Sequence, residues 1–193
     1  MYLFAGRAAV DCAGMIALIP LKALDDAKSR LGEVLAAEPR QALALQLLTR
    51  VIGACQGAGL EVAIVSSDPM AYIAARELGA GVVDDEGRDL TGSVQLGLAT
   101  FADVEAVVVI AADLPYVTVD DVVALLAAAL PLAIAPSADG RTNAIAARPP
   151  SAFTPAYGEG SAARHGGVVV DRPGLARDLD TPADLRDYEA SCR

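Results

Sequence analysis

The stretch VVVIAADLPYVT, residues 107–118, decides the fold, because a run of apolar residues ends in a lone aspartate, Asp113, that is soon followed by proline. A short, continuous run of valine and isoleucine is typical of a strand buried on both faces of a parallel sheet. A carboxylate at the end of such a strand is costly to desolvate unless a positive group holds it there. A cation is therefore expected beside Asp113, and a metal ion is one candidate.

Strands and helices alternate on both sides of this stretch. The apolar spacing predicts strands at 15–21, 61–67, 81–83, 105–113, 132–137 and 143–148, and helices at 39–59, 69–81, 91–101 and 117–130. The closing segment predicts a short strand through 178–180 and then a helix that begins at Thr181-Pro182. This order predicts a three-layer α/β/α sandwich around a mostly parallel sheet.

Length and charge narrow the class of protein. The 193 residues suit one domain over 15–193, preceded by residues 1–14 as an N-terminal arm or an edge strand. The net charge of −10 argues against a general affinity for nucleic acid or an anionic membrane. Apolar runs are too short to span a bilayer, and three cysteines without metal-ligand spacing indicate reduced thiols, so we expect a cytoplasmic protein.

Ligands of such sheets bind beyond the carboxyl ends of the strands, which places Lys22, Ser66, Asp68 and Asp113 on one edge. The loop after the first strand also holds Lys28 and Arg30, and these cations suit phosphate groups. The glycine-rich patterns of ATPases and dinucleotide-binding proteins are absent from the sequence. A solvated loop without a ligand is the alternative interpretation.

A second acidic group follows near the end of the chain, where Asp178 and Asp180 stand two residues apart. In a strand these two side chains lie on the same face, and that strand can neighbour the one that ends at Asp113. Mg²⁺ prefers hard oxygen ligands and is usually held by one or two carboxylates together with substrate phosphates. The three aspartates therefore predict a magnesium–nucleotide site. Asp180 also suits the role of N-cap for the last helix.

The segment 141–165 contains a second set of anion-binding groups. Glycine and serine at 158–161 open a short helix, where free backbone amides attract a carboxylate or phosphate. Thr142 adds a hydroxyl, and Arg164 adds a charge. For His165, the only histidine, a position at the surface or against an anion is favoured over a catalytic base, since no partner triad is visible.

Five segments occur in order: IPLKALDDAKSRL (19–31), AADLP (111–115), RTNAI (141–145), YGEGSAARH (157–165) and PGLARDLDTPADL (173–185). Together they resemble the guanylyltransferases of deazaflavin coenzyme F-420 biosynthesis. The resemblance implies the Rossmann-like fold of nucleotide-diphospho-sugar transferases, shared with the molybdenum-cofactor guanylyltransferases. It also implies transfer of GMP from GTP to 2-phospho-L-lactate or phosphoenolpyruvate, with release of pyrophosphate.

The resemblance further implies roles for individual residues and partners. Mg²⁺ would be held by Asp113, Asp178 and Asp180. Catalysis at the GTP phosphates would involve Lys22, Lys28 and Arg30 together with Asp113. The acid substrate would be bound by Thr142, Gly158 and Ser161, with Arg164 beside them. The expected partners are GTP and a small phosphorylated acid, with no nucleic acid or membrane. A homodimer and a downstream transferase that receives the product are further expectations.

Two alternatives remain open. Arg141 stands where the family often has glycine, and RDLTGS (88–93) stands where its base-recognition segment often reads Gly-Leu-Asn. These differences leave open a related nucleotidyltransferase with another base or acceptor, of the molybdopterin or 3-phosphoglycerate type. The second alternative is a non-catalytic nucleotide-binding module, against which the retained aspartates and lysines count.

Overall fold

A computed structural model describes residues 2–4, 14–23 and 28–191 of the chain. The strands are β1 Tyr2–Phe4, β2 Met15–Pro20, β3 Glu61–Val65, β4 Gly81–Val83, β5 Ala106–Ile110, β6 Leu132–Pro136, β7 Thr142–Ala147 and β8 Val168–Val169. The helices are α1 Ala37–Gly57, α2 Pro69–Leu78, α3 Leu90–Thr100, α4 Val119–Ala128, α5 Ser161–His165, α6 Pro173–Ala176 and α7 Pro182–Ser191. Short 3₁₀ turns lie at Ser29–Leu31 and Pro150–Ala152.

The strands of the described chain form one sheet in the order β1-β4-β3-β2-β5-β7-β6-β8. Its centre, β4-β3-β2-β5, is parallel, and Leu18 of β2 lies opposite Ala63 of β3 and Val109 of β5. Antiparallel pairing occurs at β1–β4, β5–β7 and β6–β7. The predicted α/β architecture with a mostly parallel sheet is confirmed.

Both faces of the central sheet are covered, which explains the continuous apolar runs. Ala17 and Ile19 of β2 belong to a core on the side of α1, α2 and α4. Ile16 and Leu18 point to the other side, where they join Val94 of α3 in a second core. Successive residues of a strand face opposite sides of the sheet, so a strand with helices on both sides must be apolar at every position.

The N-terminal residues were predicted to form either an arm or an edge strand, and residues 2–4 form an edge strand. They pair antiparallel with Gly81–Val83 of β4. The division into an arm (1–14) and a domain (15–193) stays a prediction. Of the cysteines expected to be reduced, Cys55 is free and buried, whereas Cys12 and Cys192 lie outside the described residues.

The prediction of a strand through 178–180 is wrong. These residues form no strand of the sheet, and the Leu179 N–H donates to the Asp113 carbonyl oxygen at 3.1 Å. The strand expected over 105–113 likewise ends at Ile110, so Asp113 lies in the turn that follows β5. A short segment with alternating side chains can be held beside a turn without completing a ladder of hydrogen bonds.

Two other expectations concern helices. The helix predicted at 117–130 forms as α4 and is capped by Thr118, since the Thr118 hydroxyl accepts from the Asp121 N–H and the Asp121 carboxylate accepts from the Thr118 N–H in return. Among the described residues, no helix combines the length and the apolar character needed to cross a membrane.

Candidate active site

A cleft of about 280 Å³ opens beyond the carboxyl ends of β2 and β5. Its lining includes Pro20, Leu21, Lys22, Lys28, Leu90, Ala111, Ala112, Asp113, Thr142, Asn143, Tyr157 and Asp180. This is the edge of the sheet at which the α/β arrangement places a ligand. The cleft combines apolar walls with a few cations, carboxylates and hydroxyls, which is the usual composition of a binding site for a small molecule.

Two residues expected on this edge, Ser66 and Asp68, do not line the cleft. The Asp68 carboxylate accepts the Met70 N–H at 2.8 Å and caps α2. Ser66 is buried, and its Oγ accepts the Asp68 N–H. Ser66 and Asp68 therefore stabilise the start of α2 and take no part in lining the cleft.

Three carboxylates meet at the cleft. Ligand oxygens of Asp113, Asp178 and Asp180 all lie within 4.8 Å of one another, and each residue is partly exposed. The hydrogen bond from Leu179 N–H to the Asp113 carbonyl places both flanking aspartates beside the turn after β5. The spatial grouping predicted from strand ends is thus formed by the turn after β5 and the irregular segment 178–180.

The N-cap of α7 is Thr181, which leaves Asp180 for the cleft. The Thr181 hydroxyl accepts the Asp184 N–H at 3.3 Å, and the Asp184 carboxylate accepts the Thr181 N–H at 2.7 Å. This reciprocal arrangement is a capping box. The alternative interpretation of Asp180 as the cap is wrong.

Lys28 lies between two of the carboxylates. Its Nζ donates to Asp113 Oδ2 at 2.6 Å and to Asp180 Oδ1 at 3.1 Å, and only 6% of its side chain is exposed. Burial opposes the charged form, but the attraction and hydrogen bonds of Asp113 and Asp180 prevail, so the pKa of Lys28 lies above its ordinary value of 10.5. Lys28 is a permanent cation of the site at neutral pH.

Asp178 has the opposite electrostatic environment. Burial, and after it repulsion from Asp113 and Asp180, raises the pKa of Asp178 above its ordinary 3.8. The negative charge of ionised Asp178 is therefore not fully offset by positive groups of the protein. Together the three close carboxylates form an acidic group suited to a metal ion, since hard oxygen atoms are the donors that Mg²⁺ and Mn²⁺ accept.

The other two predicted cations, Lys22 and Arg30, are exposed beside the cleft. Lys22 is exposed and lines the cleft directly after β2. Arg30 is 62% exposed at its side chain, and its Nη1 lies 3.5 Å from Asp180 Oδ2. Both side chains are within the solvent-facing part of the site, where long side chains can reorient toward an anionic ligand.

The start of β7 also lines the cleft, and α5 contacts it at Thr142. Thr142 Oγ1 lies 3.2 Å from Ser161 Oγ and 3.0 Å from His165 Nδ1. Ser161 is fully buried, while Thr142 is 9% exposed and lines the cleft. The structure thus brings Thr142 and Ser161 together, as expected, but places Thr142 nearer to the cleft.

Arg164 is directed into its own loop. Its guanidinium donates to the carbonyl oxygens of Ala156, Tyr157 and Glu159. Gly158, within this loop, has φ of 116°, a backbone conformation that side chains other than glycine rarely adopt. The loop that includes Gly158 is therefore shaped by Arg164. The proposed contact of Arg164 with substrate stays a prediction.

Sequence reasoning missed three residues that line the cleft: Leu90, Asn143 and Tyr157. The Tyr157 N–H donates to Thr91 Oγ1 at 3.3 Å, which joins the wall at α5 to the start of α3. Burial raises the pKa of the Tyr157 hydroxyl above its ordinary 10.0, so this group is a neutral donor at the cleft. Local sequence offered no signal beyond the neighbouring motifs RTNAI and YGEGSAARH.

The chain has the fold of solved nucleotidyltransferases. The chain superposes with a TM-score of 0.74 on the structure of a Desulfovibrio desulfuricans protein described as a nucleotide-diphospho-sugar transferase. The two share 20% sequence identity over 94% of this chain and 88% of that one. Solved nucleotidyl transferases share this fold.

Sequence comparison gives the family. Residues 15–172 match the family described as "Guanylyl transferase CofC like", and the chain belongs to it. The chain is 42% identical to a phosphoenolpyruvate guanylyltransferase of Rubrobacter xylanophilus over 92% of this chain and 94% of that protein. It is 40% identical to a protein of the same name from Sphaerobacter thermophilus, over 89% and 91% of the two chains.

Proposed function

We propose that this protein transfers GMP from GTP to phosphoenolpyruvate and releases pyrophosphate. The observation that carries the proposal is the acidic cluster Asp113, Asp178 and Asp180, with Lys28 inside it, at a cleft that Thr142 also lines. The names of the relatives support the choice of guanylate and of phosphoenolpyruvate over 2-phospho-L-lactate.

The three aspartates would hold Mg²⁺. Their oxygens fit the ion because they are hard donors within 4.8 Å of one another, and because Asp178 bears an unfavourable charge that a cation would relieve. Bound there, Mg²⁺ supplies positive charge that offsets repulsion between two anionic substrates and stabilises the leaving pyrophosphate.

Cations of the chain would bind the triphosphate. Lys28 is held at the carboxylate cluster with its charge retained, and Lys22 and Arg30 are exposed beside the same cleft. We assign them to the phosphates of GTP, where fixed positive charge stabilises the charge that develops in phosphoryl transfer. The apolar wall with Leu21 and Leu90 is the part of the cleft suited to a nucleoside.

Thr142 and the 156–161 loop would orient the acceptor acid. An oxygen of the acceptor phosphate forms a bond to the α-phosphorus of GTP while the bond from that phosphorus to the bridging oxygen breaks. The electron pair leaves with pyrophosphate. The acceptor is already an anionic nucleophile, so the chain needs no strong general base. Arg141, which stood out in the sequence, pairs with Asp139 at 3.3 Å and does not line the cleft.

The product would be a mixed anhydride of two phosphates, an activated compound. A transferase that takes its phosphorylated three-carbon group, with GMP as the leaving group, is therefore the expected next step, and coenzyme F-420 biosynthesis is the setting that the family resemblance suggests. We also keep cytoplasmic localisation and a homodimer as proposals. The cleft described here is formed within one chain.

The test is an assay of pyrophosphate release with purified protein and Mg²⁺. Each of the four nucleoside triphosphates is paired with phosphoenolpyruvate, 2-phospho-L-lactate or 3-phosphoglycerate. We expect release with GTP and phosphoenolpyruvate. Asp113→Asn keeps the shape of the side chain and would remove a metal ligand; it should lower turnover at least about 100-fold, with circular dichroism verifying that the variant is folded. Release with no combination would transfer support to a nucleotide-binding module.

A further inference from the structure

His165 is a histidine whose protonation state is determined by its neighbours. Its Nε2 accepts the Ala156 backbone N–H at 2.9 Å, so that nitrogen carries no proton. The proton of the neutral ring must then lie on Nδ1, which is 3.0 Å from Thr142 Oγ1. The Nδ1–H therefore donates to the Thr142 hydroxyl.

The ring is held in this orientation from both sides. Phe153 and Tyr157 contact it edge to face, with ring centroids at 5.1 and 5.0 Å. The charged neighbour Arg164, whose guanidinium is bound to loop carbonyls, adds repulsion against a second proton. His165 is thus a fixed hydrogen-bond donor to Thr142.

The hydrogen bond from His165 determines which of the neighbouring hydroxyls donates and which accepts. A hydroxyl is both donor and acceptor, so the Thr142–Ser161 pair alone has no preferred polarity. Once Thr142 Oγ1 accepts from His165, its own proton is available to Ser161 or to a ligand in the cleft. Carboxylate and phosphate groups are acceptors and require such a donor.

We propose that His165 is a positioning residue for the acceptor acid, which orients the Thr142 hydroxyl as a donor into the cleft. The inference rests on the proposed function, because it assigns the acid to the wall formed by Thr142. It differs from the interpretation of the sequence, which placed His165 at the surface or against the anion itself. In the structure it acts through Thr142.

The first test measures the ring directly. His165 is the only histidine of the chain, so its imidazole nitrogen signals in a ¹⁵N NMR spectrum are unambiguous. We expect the neutral tautomer with the proton on Nδ1 at neutral pH, and a changed Nδ1–H signal in Thr142→Val. A proton on Nε2, or a doubly protonated ring, overturns the inference.

The second test is kinetic and uses two variants that both lose the aromatic ring. His165→Asn keeps an N–H donor close to the Nδ1 position, whereas His165→Gln keeps an acceptor close to the Nε2 position. We expect the Gln variant to raise KM for the acid about tenfold or more, with KM for GTP unchanged, since it loses a hydrogen bond that supports binding of a charged group. The Asn variant should stay within about threefold of the natural protein by the same reasoning.

Combination with Thr142→Val separates a positioning role from a structural one. If His165 acts through the hydroxyl, Thr142→Val raises KM for the acid in the natural protein and adds nothing in the Gln variant. Additive effects, equal loss in both His165 variants, or a parallel rise in KM for GTP overturn the inference. An inactive natural protein instead overturns the proposed function, which the pyrophosphate assay reveals before any variant is made.

Discussion

The Nζ atom of Lys28 lies 2.6 Å from Oδ2 of Asp113, although the two residues are 85 positions apart in the chain. The backbone at Lys28 is left-handed, with φ of 54°, and only 6% of the side chain is exposed. The carboxylate that follows the apolar strand β5 is therefore neutralised by an ammonium group of the protein itself. A metal ion, if bound, shares the cluster with this lysine.

We expect Lys28→Met to lower the free energy of unfolding by about 1–3 kcal/mol in the absence of divalent metal, because the carboxylates lose their internal counter-charge. Added Mg²⁺ should recover part of that loss. Urea unfolding with and without Mg²⁺ measures both effects. Lys22→Met, at an exposed lysine of the same loop, is the control and should change stability little. A Lys28 variant as stable as the control would contradict this assignment of charge.

The pKa of Lys28 predicts that its contribution to the free energy of unfolding is lost in alkaline solution. Because its pKa is raised by Asp113 and Asp180 despite burial, the stabilisation is fully present below the ordinary value of 10.5 and is lost as the pH rises through the higher value of the folded protein. The difference in unfolding free energy between the natural protein and Lys28→Met should therefore be constant near neutral pH. It should shrink only in strongly alkaline solution.

Asp178→Asn should increase stability and decrease metal binding. Burial and the charges of Asp113 and Asp180 raise the pKa of Asp178, so its ionised form destabilises the folded protein once the pH exceeds 3.8 and passes the raised value. Removing that charge raises the melting temperature in metal-free buffer at neutral pH. It also weakens binding of Mg²⁺ or Mn²⁺ in calorimetry.

Asp103→Asn is the control for this pair of effects, since Asp103 is an exposed aspartate in the turn before β5. It should alter neither the melting temperature nor metal binding appreciably. If Asp178→Asn melts lower than the natural protein while Asp103→Asn is unchanged, Asp178 is a stabilising residue and the electrostatic argument is incorrect.

His165 should make stability depend on pH in the mildly acidic range. Burial, followed by the charge of Arg164, lowers the pKa of His165 below its ordinary 6.5. The unfolded chain then binds a proton before the folded one, so the free energy of unfolding falls as the pH decreases from 6.5 toward the lower value of the folded protein. Unfolding curves of the natural protein and His165→Gln should diverge above this window and approach each other below it. Parallel curves would show that the ring titrates normally.

Two glycines in helices should respond in opposite directions to alanine. A Cβ at Gly97 of α3 would lie 2.9 Å from Leu18 Cδ1 and 3.3 Å from Val65 Cγ2, so Gly97→Ala should cost about 1–3 kcal/mol by overpacking. Gly53 of α1 has nothing within 4 Å of its Cβ position, and Gly53→Ala should stabilise by about 0.5–1 kcal/mol. Chemical denaturation measures both. A neutral Gly97→Ala would mean that α3 moves away from the sheet at little cost.

Much of this site was accessible from local sequence. Apolar runs located β2, β3 and β5, and the residue types at their ends pointed to Lys22 and Asp113. The side of the cleft assigned to the acid substrate was indicated by Thr142 and by the glycine-rich turn at 158–161. The strand expected at 178–180 was wrong because alternation of side chains describes an extended chain equally well, whether or not it joins a sheet. Tyr157 was missed since nothing local distinguishes a tyrosine at a cleft from one in a core.

The sequence by itself determined the order of strands and helices from β2 to β7, the burial of the sheet on both faces and the family, because these depend on periodicity and on residues that are neighbours in the chain. Only the tertiary structure decided that Lys28 neutralises Asp113, that Thr181 rather than Asp180 caps the last helix, and that the His165 ring lies 3.0 Å from the Thr142 hydroxyl. Each of these depends on the geometry of hydrogen bonds, which requires atomic positions accurate to a few tenths of an ångström. No pattern of residue types along the chain contains that information.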